Sequence, residues 1–414
     1  MAKVSVIIPV FNVEDYLDEC LESVVNQTLK DIEIICIDDA STDNSYNIIE
    51  KYRGKDNRIQ IIQNDINKGL SYTRNRGIQF AEGECIYFLD SDDLIELNAL
   101  EELYNKCMKD NLDIIYFDAK IIYMTEKLKN DFIGYRNTRN NIYNEIYKGS
   151  KLFKEFIKND DLSFSVCRQF YRSDFIKKND FTFFEGMLHE DNLFTICTII
   201  GADRVVCINK KYFIRRFRTS SIMTKKFSMK NAEGMFNTYY ELLKLWEAGK
   251  VDRSLDPYIN MQLIATFSSA KQYYNMVSYD KRNEPIFLNE RYKWNMFYNS
   301  IICADNCIIV HEISSIKINE ILKAKKVIIF GAGVVGRDVL NILDQYNISV
   351  HAFAVTKNEN NPKHILRVPV KRFVDLTFQE REALFIVAVT KIYENEIIQY
   401  LLDMGIENYI KISD

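Results

Sequence analysis

Over about its first ninety residues, the chain alternates between short apolar runs and stretches with helical periodicity. The apolar runs are rich in β-branched and aromatic residues, which is typical of buried strands, and they lie at Val4–Ile8, Ile32–Ile37, Ile59–Gln63 and Cys85–Leu89. Between the runs, apolar residues recur at helical spacing, which predicts helices at Val13–Leu29, Ser45–Tyr52 and Leu70–Ala81. This repetition predicts an α/β fold with a mostly parallel sheet flanked by helices, because parallel strands need crossover connections.

Acidic residues follow two of these predicted strands, where the chain leaves the sheet. Asp38–Asp39 comes after the second strand, and Asp90–Asp93 (sequence DSDD) comes after the fourth. Ligands of parallel sheets bind beyond the carboxyl ends of the strands, and carboxylates are ligands that Mg²⁺ and Mn²⁺ prefer. If the chain stays extended, Asp90 and Asp92 point to one side. Each cluster alone also fits a solvated turn, with the second capping a helix over Leu94–Lys109, but two clusters at one sheet edge favour a metal-assisted site.

Beyond these repeats, the chain divides into an irregular middle part and a second strand–helix pattern. Strands are predicted at Leu112–Phe117, Ser165–Tyr171 and Val205–Ile208, and a helix at Glu190–Ile200. The second pattern has strands at Val327–Phe330, Val350–Val355 and Leu384–Val389 and helices at Arg337–Asp344 and Tyr393–Met404. We therefore predict three parts: a first α/β domain at 1–232, a mainly helical extension at 233–320, and a small α/β domain at 321–414.

Charge and cysteine content argue against several other classes of protein. A net charge of −4 over 414 residues does not indicate nucleic-acid binding, which usually requires an excess of basic residues. The nine cysteines include no CxxC pair, which favours free thiols in a reducing compartment over disulfides or structural zinc. The chain has neither an uninterrupted apolar stretch of membrane-spanning length nor a signal peptide, so we predict a cytoplasmic protein.

Four ordered blocks in the first part of the chain carry a family resemblance. The blocks are Lys3–Asn12, followed by Glu14 and Leu17; Glu33–Asp43; Asn67–Gly77; and Gly83–Asp93. Together they closely resemble family 2 inverting glycosyltransferases of the GT-A fold, of the type that makes bacterial capsules and surface glycans. The resemblance covers residues 1 to about 225, and Ala40 replaces a glycine that is usual in the family.

The resemblance implies a site for a nucleotide-sugar donor, with UDP as the expected nucleotide. The implied donor-binding residues are Pro9, Phe11, Glu14, Asp39, Asn67, Gly69, Arg74, Asp90, Ser91 and Arg218. Among them, Asp39 would contact the base and Arg74 would lie near the diphosphate. Asp92, together with Asp90, would hold Mn²⁺ or Mg²⁺, which can stabilise a departing nucleoside diphosphate as a Lewis acid.

A general base is predicted in the segment Leu188–Phe194. An inverting transfer needs a carboxylate or histidine that takes the proton of the acceptor hydroxyl. The segment resembles the Glu-Asp motif of the family, which implies Asp191 as the base, with Glu190 and His189 orienting it or binding the acceptor. The alternative is a helix start with acidic residues in its first turn, which the helix dipole favours.

A basic segment, Tyr212–Thr224, resembles the loop that closes over the donor in surface-glycan members of the family. Arg218 or Arg215 would then meet the diphosphate. The alternative is a solvated basic loop or a patch that contacts anionic lipid, which is compatible with a peripheral position at the inner face of the plasma membrane.

The last domain carries the pattern GxGxxG at Gly331, Gly333 and Gly336, between a predicted strand and a predicted helix. This placement suits a phosphate at a helix start, and the domain resembles Rossmann-like modules appended to some bacterial sugar transferases. The following strand ends at Val355 without the carboxylate of the dinucleotide fingerprint, so NAD is not the expected ligand. The alternative is a docking or oligomerisation module in which the glycines serve packing.

Together these features predict a metal-dependent inverting glycosyltransferase that acts on a glycan or lipid-linked glycan acceptor. One rival is a sugar nucleotidyltransferase, which would carry a glycine-rich basic loop after its first strand, unlike Pro9–Asn12. The other rival is a nucleotide-binding regulatory or scaffold protein.

Overall fold

The computed structural model describes residues 2–143, 145–219, 227–277, 293, 296–297, 301, 313–356, 363–365, 368–389 and 391–412. The chain forms two compact units. The amino-terminal unit comprises Met1–Lys226 and Gly234–Ser268, and the carboxyl-terminal unit comprises Phe227–Glu233 and Ser269–Asp414.

The amino-terminal unit is built around one large sheet. Its strands are β1 (Val4–Val10), β2 (Ile32–Asp38), β3 (Ile59–Gln63), β4 (Cys85–Phe88), β5 (Leu94–Ile95), β6 (Ile114–Tyr123), β7 (Gln169–Arg172) and β8 (Val205–Phe217). They lie in the order β3-β2-β1-β4-β7-β6-β8-β5, and β3, β2, β1 and β4 are parallel. The predicted α/β fold with a mostly parallel sheet is therefore confirmed.

Helices connect and cover these strands. They are α1 (Glu14–Val25), α2 (Ser45–Arg53), α3 (Leu70–Phe80), α4 (Ala99–Lys109), α5 (Glu126–Asp131), α6 (Gly149–Lys158), α7 (Ser173–Lys178) and α8 (Glu190–Gly201). Two long helices follow, α9 (Met229–Glu247) and α10 (Asp256–Met276), so the described part of the predicted helical extension is mainly helical. Among the described residues, none of the helices combines the length and apolar content needed to cross a bilayer.

The register of the central strands brings the predicted acidic clusters to one edge. Val10, the last residue of β1, lies opposite Asp38, the last residue of β2. Ile7 of β1 lies opposite Phe88, the last residue of β4. Since these three strands are parallel, the chain leaves each of them at the same edge of the sheet.

Helix α3 packs unusually close to this central region through Gly77. A Cβ atom at Gly77 would lie 2.3 Å from Cγ2 of Ile7, on β1. That distance is well below van der Waals contact, so only glycine allows α3 to approach the strand this closely. The close approach holds Arg74, one turn earlier on α3, against the carboxyl end of the sheet.

Two element predictions were wrong, both because the backbone pairs with a strand that is distant in the sequence. The helix predicted over Leu94–Lys109 begins at Ala99, since Leu94 and Ile95 pair with β8 and Gln27 donates a hydrogen bond to the carbonyl of Glu96 (2.7 Å). The basic segment predicted as a loop is strand as far as Phe217, because β8 continues alongside β6 past an irregularity. Residues 220–224 of that segment lie outside the described residues.

The carboxyl-terminal unit contains a second sheet. Its elements are α11 (Ser315–Ile321), β9 (Val327–Phe330), α12 (Val334–Gln345), β10 (Ala352–Val355), β11 (His364–Ile365), β12 (Val368–Arg372), α13 (Phe378–Arg381), β13 (Leu384–Val387), α14 (Lys391–Asp403) and β14 (Tyr409–Lys411). The strand order is β11-β12-β10-β9-β13-β14, and all neighbours except β11 and β12 are parallel. Successive residues Ile328 and Ile329 of β9 belong to separate apolar clusters, so both faces of this sheet are covered.

Candidate active site

The guanidinium of Arg74 is the centre of the acidic site. Its Nη1 donates to Oε1 of Glu190 and to Oδ1 of Asp191, and its Nη2 donates to Oδ1 of Asp90, each at 2.7 Å. The Arg74 side chain is only 1% exposed. Helix α3, the end of β4 and the start of α8 are therefore tied together by one buried cation. All three of these hydrogen bonds of Arg74, the residue predicted to lie near a diphosphate, go to carboxylates.

The segment Asp90–Asp93 forms a turn and does not remain extended. The amide of Asp93 donates to the carbonyl of Asp90 at 3.0 Å. As a result the two predicted metal ligands meet different arginines, Asp90 contacting Arg74 and Asp92 accepting from Nε of Arg218 at 2.8 Å. The premise that an extended chain would align the two carboxylates is therefore wrong, although both still lie in the same short turn.

Negative charge accumulates in this turn. Burial, followed by the charge of Asp90, raises the pKa of Asp92, while Arg218 opposes both effects. Burial and the charges of Asp92 and Asp90 also raise the pKa of Asp93, whose Oδ1 accepts a 2.6 Å hydrogen bond from the amide of Arg216. The ionised turn is therefore unfavourable by itself, and a cation would stabilise it.

The donor set of the turn fits a hard divalent cation only in part. Among the residues that the structure describes, no group of three or more His, Cys, Asp or Glu side chains is arranged to hold a metal ion. Mg²⁺ is, however, often held by one or two carboxylates together with substrate phosphates and water. Asp90 and Asp92 are both partly exposed and provide such a pair of oxygen donors.

Asp39 shapes the loop that precedes α3. Its carboxylate accepts hydrogen bonds from the amides of Lys68 and Gly69, both at 2.8 Å, and from Nδ2 of Asn64 at 2.7 Å. The following residue, Ala40, has φ of 59°, a left-handed conformation that costs a residue with a side chain about 1 kcal/mol or more. This backbone conformation explains why glycine would suit position 40.

The other residues predicted to contact the donor surround the same sheet edge. Pro9 is buried inside β1, and Phe11, just past the end of that strand, is exposed. Glu14 accepts from the amide of Asn44 (2.8 Å) and links α1 to the start of α2. Asn67 is exposed in the loop held by Asp39, whereas Ser91 is buried in the acidic turn.

The segment His189–Asp191 places acidic groups at the start of α8. His189 has φ of 63° and immediately precedes the helix, so Glu190 and Asp191 occupy its first turn. Burial lowers the pKa of His189, which favours the neutral ring. Glu190 is buried, while the Asp191 side chain is 24% exposed. Of the two carboxylates, Asp191 is the one that a substrate can reach.

Sequence reasoning missed the group that positions the basic segment. The guanidinium groups of Arg216 and Arg218 lie over the ring of Tyr16, at 5.2 and 4.8 Å from its centre. Arg216 also pairs with Glu19 at 2.7 Å, whereas Arg215 donates to the hydroxyl of Tyr135 at 2.8 Å. Tyr16 looked like an ordinary apolar position of α1, and only its contact with β8 marks it as part of the site.

Comparison with known proteins identifies the family of the chain. Residues 5–175 match the family model described as Glycosyl transferase family 2. The cholesterol galactosyltransferase of Borreliella burgdorferi is 33% identical over 247 residues, which are 58% of this chain and 68% of that protein. The chain belongs to glycosyl transferase family 2. As a member of this family it is a glycosyltransferase.

Other members of the family are similar over different shares of their length. Glycosyltransferase GlyA of Streptococcus pneumoniae is 30% identical over 224 residues, but the chain spans only 31% of that protein. The crystal structure of S. aureus TarS residues 1–349 aligns with a TM-score of 0.51 at 25% identity, covering 73% of this chain and 80% of that one. TarS 1–349 has also been solved in complex with UDP-GlcNAc, and that structure aligns with a TM-score of 0.50 at 24% identity.

The stability of this glycosyltransferase should depend on the ionisation of Glu190. Burial, followed by the charge of Asp191, raises the pKa of Glu190 to about 7, although Arg74 opposes the rise. Between the ordinary carboxyl pKa and about 7 the folded state therefore holds more protons than the unfolded state, so the free energy of unfolding falls as pH rises. We expect Glu190→Gln to flatten this fall when urea unfolding is compared at about pH 5 and about pH 8. Glu126→Gln, which removes an exposed carboxylate, should leave the pH dependence unchanged, and an equal change in both variants would contradict the assignment.

Proposed function

We propose that this glycosyltransferase is a metal-dependent inverting enzyme of bacterial surface-glycan synthesis. It transfers a sugar from a UDP-type donor to the hydroxyl of a glycan or lipid-linked glycan acceptor. The supporting observation is that Arg74 joins Asp90, at the edge expected to bind the donor, to Asp191, the expected base. A donor beside the acidic turn and an acceptor at Asp191 would then be held next to each other.

Asp191 is suited to take the proton of the acceptor hydroxyl. Burial raises the pKa of Asp191, while Arg74 opposes the rise. A raised pKa makes the ionised carboxylate a stronger base, which is useful only if the group stays ionised at the working pH. The contact with Arg74 at 2.7 Å favours the ionised form and fixes the direction of the carboxylate.

Asp90 and Asp92 would hold the metal, and the basic end of β8 would face the diphosphate. A bound Mn²⁺ or Mg²⁺ supplies Lewis-acid stabilisation of the leaving nucleoside diphosphate. Arg218 lies beside Asp92 and is itself placed by the ring of Tyr16. A guanidinium in that position can bind phosphate oxygens through paired hydrogen bonds. The UDP-GlcNAc complex of TarS supports the choice of a UDP donor.

Release of UDP from a donor panel tests this proposal. The full chain is incubated with UDP-glucose, UDP-galactose or UDP-GlcNAc and Mn²⁺, with and without EDTA. We expect UDP release that requires the metal and that falls about 100-fold or more in Asp92→Asn, because metal stabilisation of the leaving group is worth several kcal/mol. Asp31→Asn is the matched control, since this exposed residue precedes β2 and lies at the opposite end of that strand. No release of UDP from any of these donors would contradict the proposal.

A further inference from the structure

The glycine-rich loop after β9 lies where the second sheet changes direction. The parallel strands follow the order β12-β10-β9-β13-β14, so the chain moves outward on one side of β9 and then continues on the other. Gly331 accordingly contacts both neighbours of β9: its amide donates a hydrogen bond to the carbonyl of Ala354 at 2.9 Å, and its Cα packs close to Ala388, just past β13. Open α/β sheets bind ligands in the crevice at such a point.

The three glycines of this loop differ in how far the structure explains the absence of a side chain. Gly331 has φ of 116°, and a Cβ there would lie 2.4 Å from the carbonyl oxygen of Ala388. A Cβ at Gly336 would lie 1.8 Å from the carbonyl oxygen of Gly331, so this glycine allows α12 to pack against the loop. Gly333 differs, because its φ is −76° and no described atom lies within 4 Å of its Cβ position. Within the described part of the chain, neither strain nor packing explains Gly333, and the space in front of it is open.

Arg337 provides an independent sign of a missing partner. The residue is only 8% exposed, and its Nε and Nη2 atoms are buried without a hydrogen-bond partner among the residues that the structure describes. A buried guanidinium without partners is costly, so a ligand that satisfies it is favoured. Arg337 is the fourth residue of the 12-residue helix α12. Helical side chains lean back over the preceding turn, which here contains Gly333.

We propose that residues 331–337 bind the phosphate or pyrophosphate group of a nucleotide. The first amides of α12 and the helix dipole attract the anion, and the Arg337 guanidinium donates to its oxygens. Gly333 allows the backbone to approach the phosphate because it carries no side chain. The strand β10 ends at Val355 and is followed by Thr356 rather than an acidic residue. The site therefore recognises the phosphate group and lacks the carboxylate that holds the ribose of NAD in the common fingerprint.

Isothermal titration of the full chain in EDTA tests this site. The probes are inorganic pyrophosphate, ADP, UDP and NAD⁺, and EDTA removes the metal expected to support donor binding near Asp92. At least one probe should bind, and Arg337→Met should weaken that binding about tenfold or more, since a charge-assisted contact is lost. Arg381→Met is the matched control. It removes the same charge from α13, which leads into the start of β13 and so lies toward the opposite edge of the sheet.

Gly333→Ala keeps the test independent of the stability of the Arg337 variant. Its new methyl group meets no described atom, so the thermal unfolding midpoint should stay unchanged while binding weakens. Gly54→Ala, whose new methyl group would make only ordinary contacts at 3.6 Å or more, should change neither quantity. Failure of all four probes to bind at millimolar concentration would overturn the proposal. Binding to Arg337→Met and to Gly333→Ala that is as strong as binding to wild type would overturn it too.

Discussion

Replacing Arg74 with methionine is expected to destabilise the protein by about 3–5 kcal/mol and to abolish sugar transfer. Burial works against the charge, but Asp191, Asp90 and Glu190 together hold the pKa of Arg74 above its ordinary value. Methionine would fill much of the same volume while leaving three carboxylates without their shared cation. Urea unfolding measures the loss of stability, and UDP release measures the loss of activity.

The pH dependence distinguishes this charge effect from a simple packing defect. As pH falls, the carboxylates that have lost their cation take up protons, so the stability difference between wild type and Arg74→Met should shrink. A packing defect would persist at every pH. Arg53→Met provides the control, because this exposed arginine pairs with Glu50 on the helix surface. Its replacement should cost no more than about 0.5 kcal/mol. Wild-type stability of Arg74→Met at neutral pH would show that the three contacts do not hold the site together.

The second large effect is expected for Asp191→Asn, which should lower kcat about 10²- to 10⁴-fold. Asparagine has nearly the same shape, and its amide oxygen can still accept from Arg74, so the fold should be retained. It cannot take a proton from the acceptor hydroxyl. The measurement is the initial rate of transfer to an acceptor across a range of donor concentrations, and the apparent affinity for the donor should stay close to that of wild type.

A pH–rate profile separates a lost base from a lost contact. In wild type, protonation of Asp191 should reduce kcat/KM on the acidic side, where its raised pKa is expected to be visible. In Asp191→Asn the remaining activity should lose this dependence. Asp174→Asn, an exposed residue on the short helix α7, should keep both the rate and the profile of wild type. An acidic limb that survives in Asp191→Asn would assign the base to another group.

Local patterns in the chain were sufficient for the first four strands and for the place where each ends. The apolar run Ile59–Gln63 coincides with β3, and the runs for β1, β2 and β4 differ from the strands by no more than two residues at either end. Buried parallel strands are nearly continuous apolar runs, so neighbouring residues alone reveal them. The acidic cluster Asp90–Asp93 and the acidic start of α8 could also be recognised, because their residues are neighbours in the sequence.

Contacts between distant parts of the chain account for what the patterns did not show. Leu94 and Ile95 carry no local sign that they pair with β8, whose residues come more than a hundred positions later. The basic segment was predicted as a loop from its resemblance to the donor loop of the family, yet its first half is strand because β6 offers hydrogen-bonding partners. Pairing of this kind depends on a neighbouring strand being in place, which no window of sequence contains.

The residues themselves were enough to establish the sheet, its acidic edge and the family to which the chain is similar, because apolar periodicity and strand-end chemistry are local properties. They could not establish that Arg74 would contact Asp90, Glu190 and Asp191 at once. Nor could they establish that Tyr16 would lie beneath Arg216 of β8 and Arg218 just after it. A buried guanidinium takes whichever carboxylates the folded chain brings within hydrogen-bond distance. That choice depends on how α3, β4 and α8 pack together, so it arises only once the whole unit has folded.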